Sequence, residues 1–144
     1  MAFWLAMGLV AAGPLATAVA TPPPETPPAA QPGQVATVFA ADAMTCVPSE
    51  TGCRIDLMDA PTRSLAQIEI HITTLLPGKT SHPPHRHANE EVVVLRQGQL
   101  EVYVNGKTRV VGPGSMLVFL ANDWHSVNNV GSEPAVYEVI NFRP

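Results

Sequence analysis

Short β-prone runs, separated by Gly, Pro and Asn, recur from Gln34 to Pro144, and helical periodicity is almost absent. In the clearest run, Ala66–Leu75, isoleucines alternate with polar residues, which is typical of a strand between a core and water. The other runs are Gln34–Ala41, Arg54–Met58, Glu91–Arg96, Gln99–Val104, Thr108–Val111, Met116–Leu120 and Ala135–Phe142. Many short strands at regular spacing predict an all-β sandwich or barrel. About 110 residues suffice for a closed or nearly closed antiparallel barrel to bury a core.

Two dipeptides predict turns, and the alternation within the runs predicts an interior. Gln97-Gly98 predicts a short hairpin between its flanking strands, and Asn105-Gly106 predicts a type I′ turn. The predicted inward-facing residues are almost entirely aliphatic: Ile68, Ile70, Ile72, Val93, Leu95, Leu100, Val102 and Val104. The same alternation puts His71 on the wet face of its strand, as an ordinary surface residue.

The first 33 residues differ in composition from the rest. No charged side chain occurs between Ala2 and Ala20, and Ala18-Val19-Ala20 is a small-x-small pattern typical of signal peptidase sites. Residues 1–20 are therefore predicted to be a signal peptide; the alternative is an uncleaved membrane anchor, because the run is barely long enough to span a bilayer. Residues 21–33 are Pro-rich and are predicted to be a disordered linker. Residues 34–144 are then predicted to form one domain. This domain is expected to be periplasmic or secreted, with no stable membrane insertion once the signal peptide has been cleaved.

The sequence contains two cysteines, Cys46 and Cys53. In an exported protein, a pair this close in sequence is a candidate disulfide that closes a short loop. Pro48 and Gly52 lie between the two cysteines and suit a turn. The alternative is two free thiols, and the spacing is not a strong zinc pattern.

The charge of the chain argues against one class of partner. Charged residues make up 14%, the formal net charge is −4, and the Lys and Arg residues are scattered singly. Because phosphate recognition needs a concentrated basic surface, no nucleic-acid partner is expected.

Three of the five histidines lie within the segment SHPPHRHANEE. His85 and His87 are two residues apart, so on an extended chain both imidazoles point to the same face and can reach one ion. Glu91 follows four residues later, whereas His125 has to be brought to the others by the fold. His82 precedes two prolines and is predicted to lie at a pocket mouth or in solvent.

These residues resemble the motifs of the cupin family. The segment from His85 to Gly98 has the spacing of the first motif: HxH, a Glu after three intervening residues and a Gly after six more. The residues that match the second motif are Gly114, His125 and Asn129. In that motif Leu120 replaces the usual Pro and Asn122 replaces the usual Gly, and Asn tolerates positive φ well. The resemblance implies a cupin fold, an antiparallel β-barrel or jelly roll.

The resemblance also implies a metal site, with His85, His87, Glu91 and His125 as its ligands. The chemistry of these residues agrees. Three neutral imidazoles and one carboxylate suit one divalent transition metal (Fe, Mn, Ni, Co, Cu or Zn) and disfavour Ca²⁺ and Mg²⁺. An octahedral ion would keep two positions open for water, O₂ or substrate.

Cupins are similar in fold but diverse in activity, so the pocket has to decide the function. Apart from the four ligands, the predicted interior offers no Lys, Arg, Asp or second Glu, and so lacks the groups that a sugar-phosphate isomerase needs. This favours metal-centred chemistry: an exported enzyme of dioxygenase type acting on a small chelator such as a diketone, a phenolic or an enol. The alternatives are a non-catalytic module that binds a small ligand or the metal, and a cupin whose metal is purely structural. A homodimer is implied by the resemblance alone.

Overall fold

The computed structural model describes residues 37–144, so the predicted signal peptide and linker lie outside the described residues. One 3₁₀ helix, Ala41–Ala43, precedes the strands. The strands are β1 Val47–Ser49, β2 Gly52–Ala60, β3 Gln67–Leu75, β4 Glu90–Gln97, β5 Leu100–Val104, β6 Lys107–Val111, β7 Met116–Phe119, β8 His125–Asn129 and β9 Ala135–Arg143. In this part of the chain, no helix has the length and hydropathy needed to cross a membrane.

The strands form two antiparallel sheets that enclose one core. The larger sheet has the order β1-β2-β3-β9-β4-β7, and the smaller has the order β6-β5-β8. The buried core takes side chains from both sheets: Leu75, Val93, Leu95, Leu100, Val102, Leu117, Phe119, Val127, Ala135, Tyr137 and Val139. The fold is therefore an all-β sandwich, and the closed barrel predicted from the sequence is corrected to two separate sheets.

Most strands lie where the sequence predicts them, with three exceptions. The predicted strand Gln34–Ala41 is not formed in its described part, since residues 37–40 are irregular and a 3₁₀ helix follows. Strand β1 contains Pro48 and pairs with β2 alone. Proline is tolerated on an edge strand, but it hid this strand from the propensity pattern. Strand β8, with the sequence HSVNN, has too few β-branched residues to stand out.

The predicted hairpin at Gln97-Gly98 is wrong. Strand β4 pairs with β9 and β7, whereas β5 pairs with β6 and β8, so the chain changes sheet at Gly98. Gly98 has φ of 83°, and a Cβ there would lie 2.6 Å from Cα of Ala135. Glycine is required at position 98 because the backbone there has a positive φ and a side chain would clash with Ala135. By contrast, the Asn105-Gly106 turn is confirmed, with φ of 45° and 86° between β5 and β6.

The predicted faces of β3 are reversed. Alternate residues from Glu69 to Leu75 line the interior, and His71 is only 7% exposed. The isoleucines predicted to face inward, Ile68, Ile70 and Ile72, therefore lie on the outer face of the larger sheet.

The reversal has a physical reason, because the outer face of the larger sheet is itself apolar. Register aligns Ile70 with Met58 on β2 and with Ile140 on β9. Ile140 is in turn aligned with Val92 on β4, and Val92 with Val118 on β7. The predicted faces of β4 and β5 are confirmed, since Val93, Leu95, Leu100 and Val102 are buried and Val104 packs against them.

Candidate metal centre

Three histidines converge at one end of the sandwich. His85 and His87 precede β4, and His125 is the first residue of β8. The backbones of His85 and His125 pair directly, with N···O distances of 3.0 and 2.9 Å between them. As a result, one ring nitrogen from each of the three histidines lies within 4.8 Å of the others. Such a triad could hold a metal ion.

Backbone carbonyls orient two of the three rings. Nδ1 of His87 lies 2.9 Å from the carbonyl oxygen of Asn89, and Nδ1 of His125 lies 2.9 Å from that of Asp123. A proton on each Nδ1 leaves the Nε2 lone pair free to bind a cation. Both Nε2 atoms are buried and have no hydrogen-bond partner in the described part of the chain. These unpartnered nitrogens fit a metal ion that would accept their lone pairs.

Glu91 approaches the same point from β4. Its Oε2 lies 3.4 Å from Nε2 of His87, and its Oε1 lies 3.9 Å from Nε2 of His125. The neighbouring Glu90 points to the opposite face of the strand. The structure therefore brings all four predicted ligand residues together, with Glu91 beside the triad.

His125 has the most enclosed ring of the triad. It is 3% exposed and stacks on Phe119 with a centroid distance of 4.3 Å and an interplanar angle of 11°. Burial lowers the pKa of His125, which favours the neutral imidazole that a metal requires. His82 is exposed and touches the His85 ring at 4.9 Å, so it lies at the mouth of the site as predicted.

The β5–β6 turn fixes the loop that carries His125. The side chain of Asn105 donates to Oδ1 of Asp123 at 2.7 Å and accepts from the backbone N of Trp124 at 3.0 Å. Oδ2 of Asp123 accepts from the backbone N of Leu120 at 3.1 Å. The loop residue Asn122 has φ of 67°, which confirms the positive φ expected where the family motif has Gly. The turn therefore helps to set the position of His125.

The triad opens onto a cavity of about 390 Å³. Its apolar lining includes Leu75, Val93, Phe119, Val127 and Val139. Its polar lining, besides the histidines and Glu91, includes Arg54, Glu69, Thr73, Tyr137 and Asn141. The prediction of an interior without Arg or a second Glu is therefore wrong, because it depended on the reversed faces of β3.

Four residues, Arg54, Glu69, His71 and Asn141, form a connected polar wall of the cavity. Arg54 pairs with Asp56 at 2.5 Å and with Glu69. Asn141 is 8% exposed, and its Nδ2 donates to Oε2 of Glu69 at 3.4 Å. Register places Asn141 between Glu69 on β3 and Glu91 on β4, so the wall extends to the candidate metal ligands. Deeper in the cavity, burial raises the pKa of Tyr137 to about 12.

Cys46 and Cys53 form a disulfide, with their Cα atoms 5.5 Å apart. The bond joins the residue before β1 to the second residue of β2 and so closes the edge hairpin of the larger sheet. Two residues of this hairpin, Ser49 and Thr51, line the cavity. The disulfide thereby holds one rim of the candidate site.

Comparison with known families and structures agrees with this geometry. The profile of the cupin domain family matches residues 71–141, which include all four predicted ligands. A comparison with curated protein sequences finds no match. Solved structures that are similar include KdgF from Halomonas sp., with 19% identity and a TM-score of 0.63 over 76% of this chain and 96% of that one.

Two further solved structures carry names that describe an activity. A sugar phosphate isomerase of the cupin superfamily from Silicibacter pomeroyi is 26% identical, with a TM-score of 0.53 over 63% of this chain and 60% of that one. The polyketide cyclase RemF from Streptomyces resistomycificus is 15% identical, with a TM-score of 0.61 over 76% of this chain and 81% of that one. The motifs, the sandwich of two sheets and the profile match agree: this chain belongs to the cupin superfamily.

Proposed function

We propose that the protein is a metal-dependent enzyme that acts on a small chelating molecule, with one divalent transition metal held by His85, His87, Glu91 and His125. The observation that carries the proposal is the pair of buried, unpartnered Nε2 atoms that converge beside a carboxylate at the end of a cavity. A bound metal would supply Lewis-acid or O₂ chemistry there. The cavity has the volume for a small ligand.

For the reaction, we propose oxidation of the dioxygenase type first, because three imidazoles and one carboxylate suit Fe(II) and similar ions and leave coordination positions open. A second candidate, redox-neutral proton transfer, is favoured by the polar wall, where Glu69 and His71 provide acid–base groups that the metal centre does not use. The names of two similar structures, a sugar phosphate isomerase and a polyketide cyclase, fit this second class.

We also propose that the protein is exported and works in the periplasm or outside the cell as a homodimer. The uncharged segment that ends at Ala20 supports export. The Cys46–Cys53 disulfide supports it too, since disulfides persist in oxidising compartments. The apolar outer face of the larger sheet, centred on Ile70, supports a homodimer, because such faces are normally covered.

Elemental analysis tests the metal centre. Protein that has been exported and purified without chelators is expected to contain about one transition-metal ion per chain. His85→Ala should abolish this binding, whereas His82→Ala, which removes the exposed histidine at the mouth, should retain it. Equal loss in both variants, or folded wild-type protein that takes up no metal, would contradict the proposal.

Oxygen uptake separates the two reaction classes. The iron-loaded protein is mixed with acetylacetone or catechol as a chelating probe, and O₂ is followed with an electrode. Uptake that requires both the iron and the probe supports dioxygenase chemistry. Probe binding without uptake, but with exchange of the probe's C–H protons in D₂O, supports proton transfer. Binding with neither reaction would contradict an enzymatic role and support the binding-module alternative.

A further inference from the structure

The polar wall contains a buried histidine that the metal centre does not use. His71 lies on the inner face of β3, two residues after Glu69, and is 7% exposed. Its Nδ1 lies 3.4 Å from Oε1 of Glu69 and makes no hydrogen bond within residues 37–144. Glu69 is thus within ion-pair distance of this nitrogen, and a buried imidazole beside a carboxylate in a cavity is a candidate acid–base group.

Neighbouring groups hold Glu69 in position to act on this imidazole. Arg54 on β2 pairs with Oε1 of Glu69, and Asn141 on β9 donates to Oε2. The other charged groups that act on His71 are Asp56 on β2 and Glu91 on β4.

His71 is therefore prepared to accept a proton. Burial is the main cause that lowers its pKa, so the imidazole is mostly neutral near pH 7. With a proton on Nδ1, the nitrogen 3.4 Å from Glu69, the lone pair lies on Nε2. When Nε2 accepts a proton, the carboxylate of Glu69 stabilises the imidazolium that forms.

We propose that His71, aligned by Glu69, is a general base that removes a proton from a small molecule bound at the histidine triad. The proposal rests on the proposed metal centre. In this step an O–H or C–H bond of the ligand breaks, its electron pair stays on the ligand, and the proton forms an N–H bond at Nε2 of His71. No oxidant or reductant is consumed. The ligand class is therefore a chelating phenolic, enol or enolisable carbonyl compound, whose deprotonated form binds a cation more tightly.

The sheet register sets the distance that the ligand has to span. Glu91 lies two strands from Glu69 in the same row, and His71 lies one inward-facing position further along β3. Strand spacing and rise place the Cα atoms of His71 and Glu91 roughly 12 Å apart. Both side chains extend inward and shorten this gap. The cavity of about 390 Å³ is in the size range of small-molecule pockets, so a single six-membered ring fits.

The test uses 4-nitrocatechol, a chelator whose visible absorbance reports its protonation state, bound to the zinc-loaded full-length protein. Zinc is colourless and redox-inactive, so the spectrum reports the probe alone. In a pH titration, bound probe is expected to lose its proton at a pH at least about one unit higher in His71→Gln than in the wild type, a tenfold change. The matched control His82→Gln removes the other non-ligand histidine at the cavity and should titrate like the wild type.

Zinc content, measured first, distinguishes the two ways of failing. If the wild-type protein binds no zinc, the proposed metal centre is wrong and the proton-transfer proposal falls with it. If wild type and His71→Gln both hold one zinc and titrate alike, the role of His71 alone is refuted. Should His71→Gln fail to fold, Glu69→Gln replaces it. It is expected to shift the titration in the same direction by a smaller amount, and an unchanged titration overturns the proposal.

Discussion

Replacement of Cys46 and Cys53 by serine is expected to lower the free energy of unfolding by about 2.5 kcal/mol. The disulfide has a sequence separation of 7, so it closes a loop of eight residues counted from Cys46 to Cys53. For a loop of this length the chain-entropy model gives about 2.5 kcal/mol at 25 °C. This is an upper value, because β1 pairs with β2 alone and the hairpin can form without the bond.

Urea denaturation followed by circular dichroism measures this change on metal-free protein of the double variant and the wild type. The control is Ser49→Ala in the same hairpin, which should change stability by less than about 0.5 kcal/mol because Ser49 is exposed. The reasoning is refuted if the double variant is as stable as the control. It is also refuted if the exported wild-type protein shows two alkylated thiols in denaturant without a reductant.

Three further measurements test the site and its surroundings. Phe119→Leu removes the ring stacked on His125 and is expected to weaken zinc binding about tenfold in competition with a chromophoric chelator; unchanged affinity would contradict a supporting role. Burial holds the pKa of His71 in the folded protein below the unfolded value of 6.5, so the unfolded chain binds more protons between the two values. The stability of the metal-free protein should therefore fall as pH drops below about 6.5, and His71→Gln should reduce this loss in urea titrations at two pH values. Equal losses would show that other groups cause it. Ile70→Glu places a charge on the apolar outer face and should convert a dimer to a monomer in light scattering; an unchanged mass excludes that face as the interface.

The turns and the alternation of the strands could be predicted from the sequence because both depend on local chemistry. Asn105-Gly106 adopts the positive φ values that a type I′ turn requires. Gln97-Gly98 resembles such a turn in sequence, but Gly98 lies where the chain passes from one sheet to the other. Its close contact with Ala135 connects distant parts of the chain, and no local pattern reveals such a contact.

The candidate metal ligands could be predicted from the sequence for a different reason. His85, His87 and Glu91 are close together in the chain, and His125 stood out through a second motif, so residue type and spacing were sufficient. The polar wall was missed because alternation defines two faces of a strand without saying which one is buried. On β3 the apolar face was assigned to the core, whereas the polar face with His71 lines the cavity.

The inner face of the larger sheet changes character along its strands, and this explains how polar residues can face inward without weakening the core. At one end lie Leu75, Leu95 and Ala135, whose side chains are fully buried. At the other end, register aligns Asn141 with Glu91 and with Glu69.

 Each of the three strands therefore carries a fully buried apolar residue toward one end of this face and a polar residue toward the other. The pairs are Leu75 and Glu69 on β3, Leu95 and Glu91 on β4, and Ala135 and Asn141 on β9. The fully buried core residues and the candidate metal site therefore lie toward opposite ends of one face. We expect substitutions at the polar end to alter ligand binding while the packing at the apolar end keeps the sandwich folded.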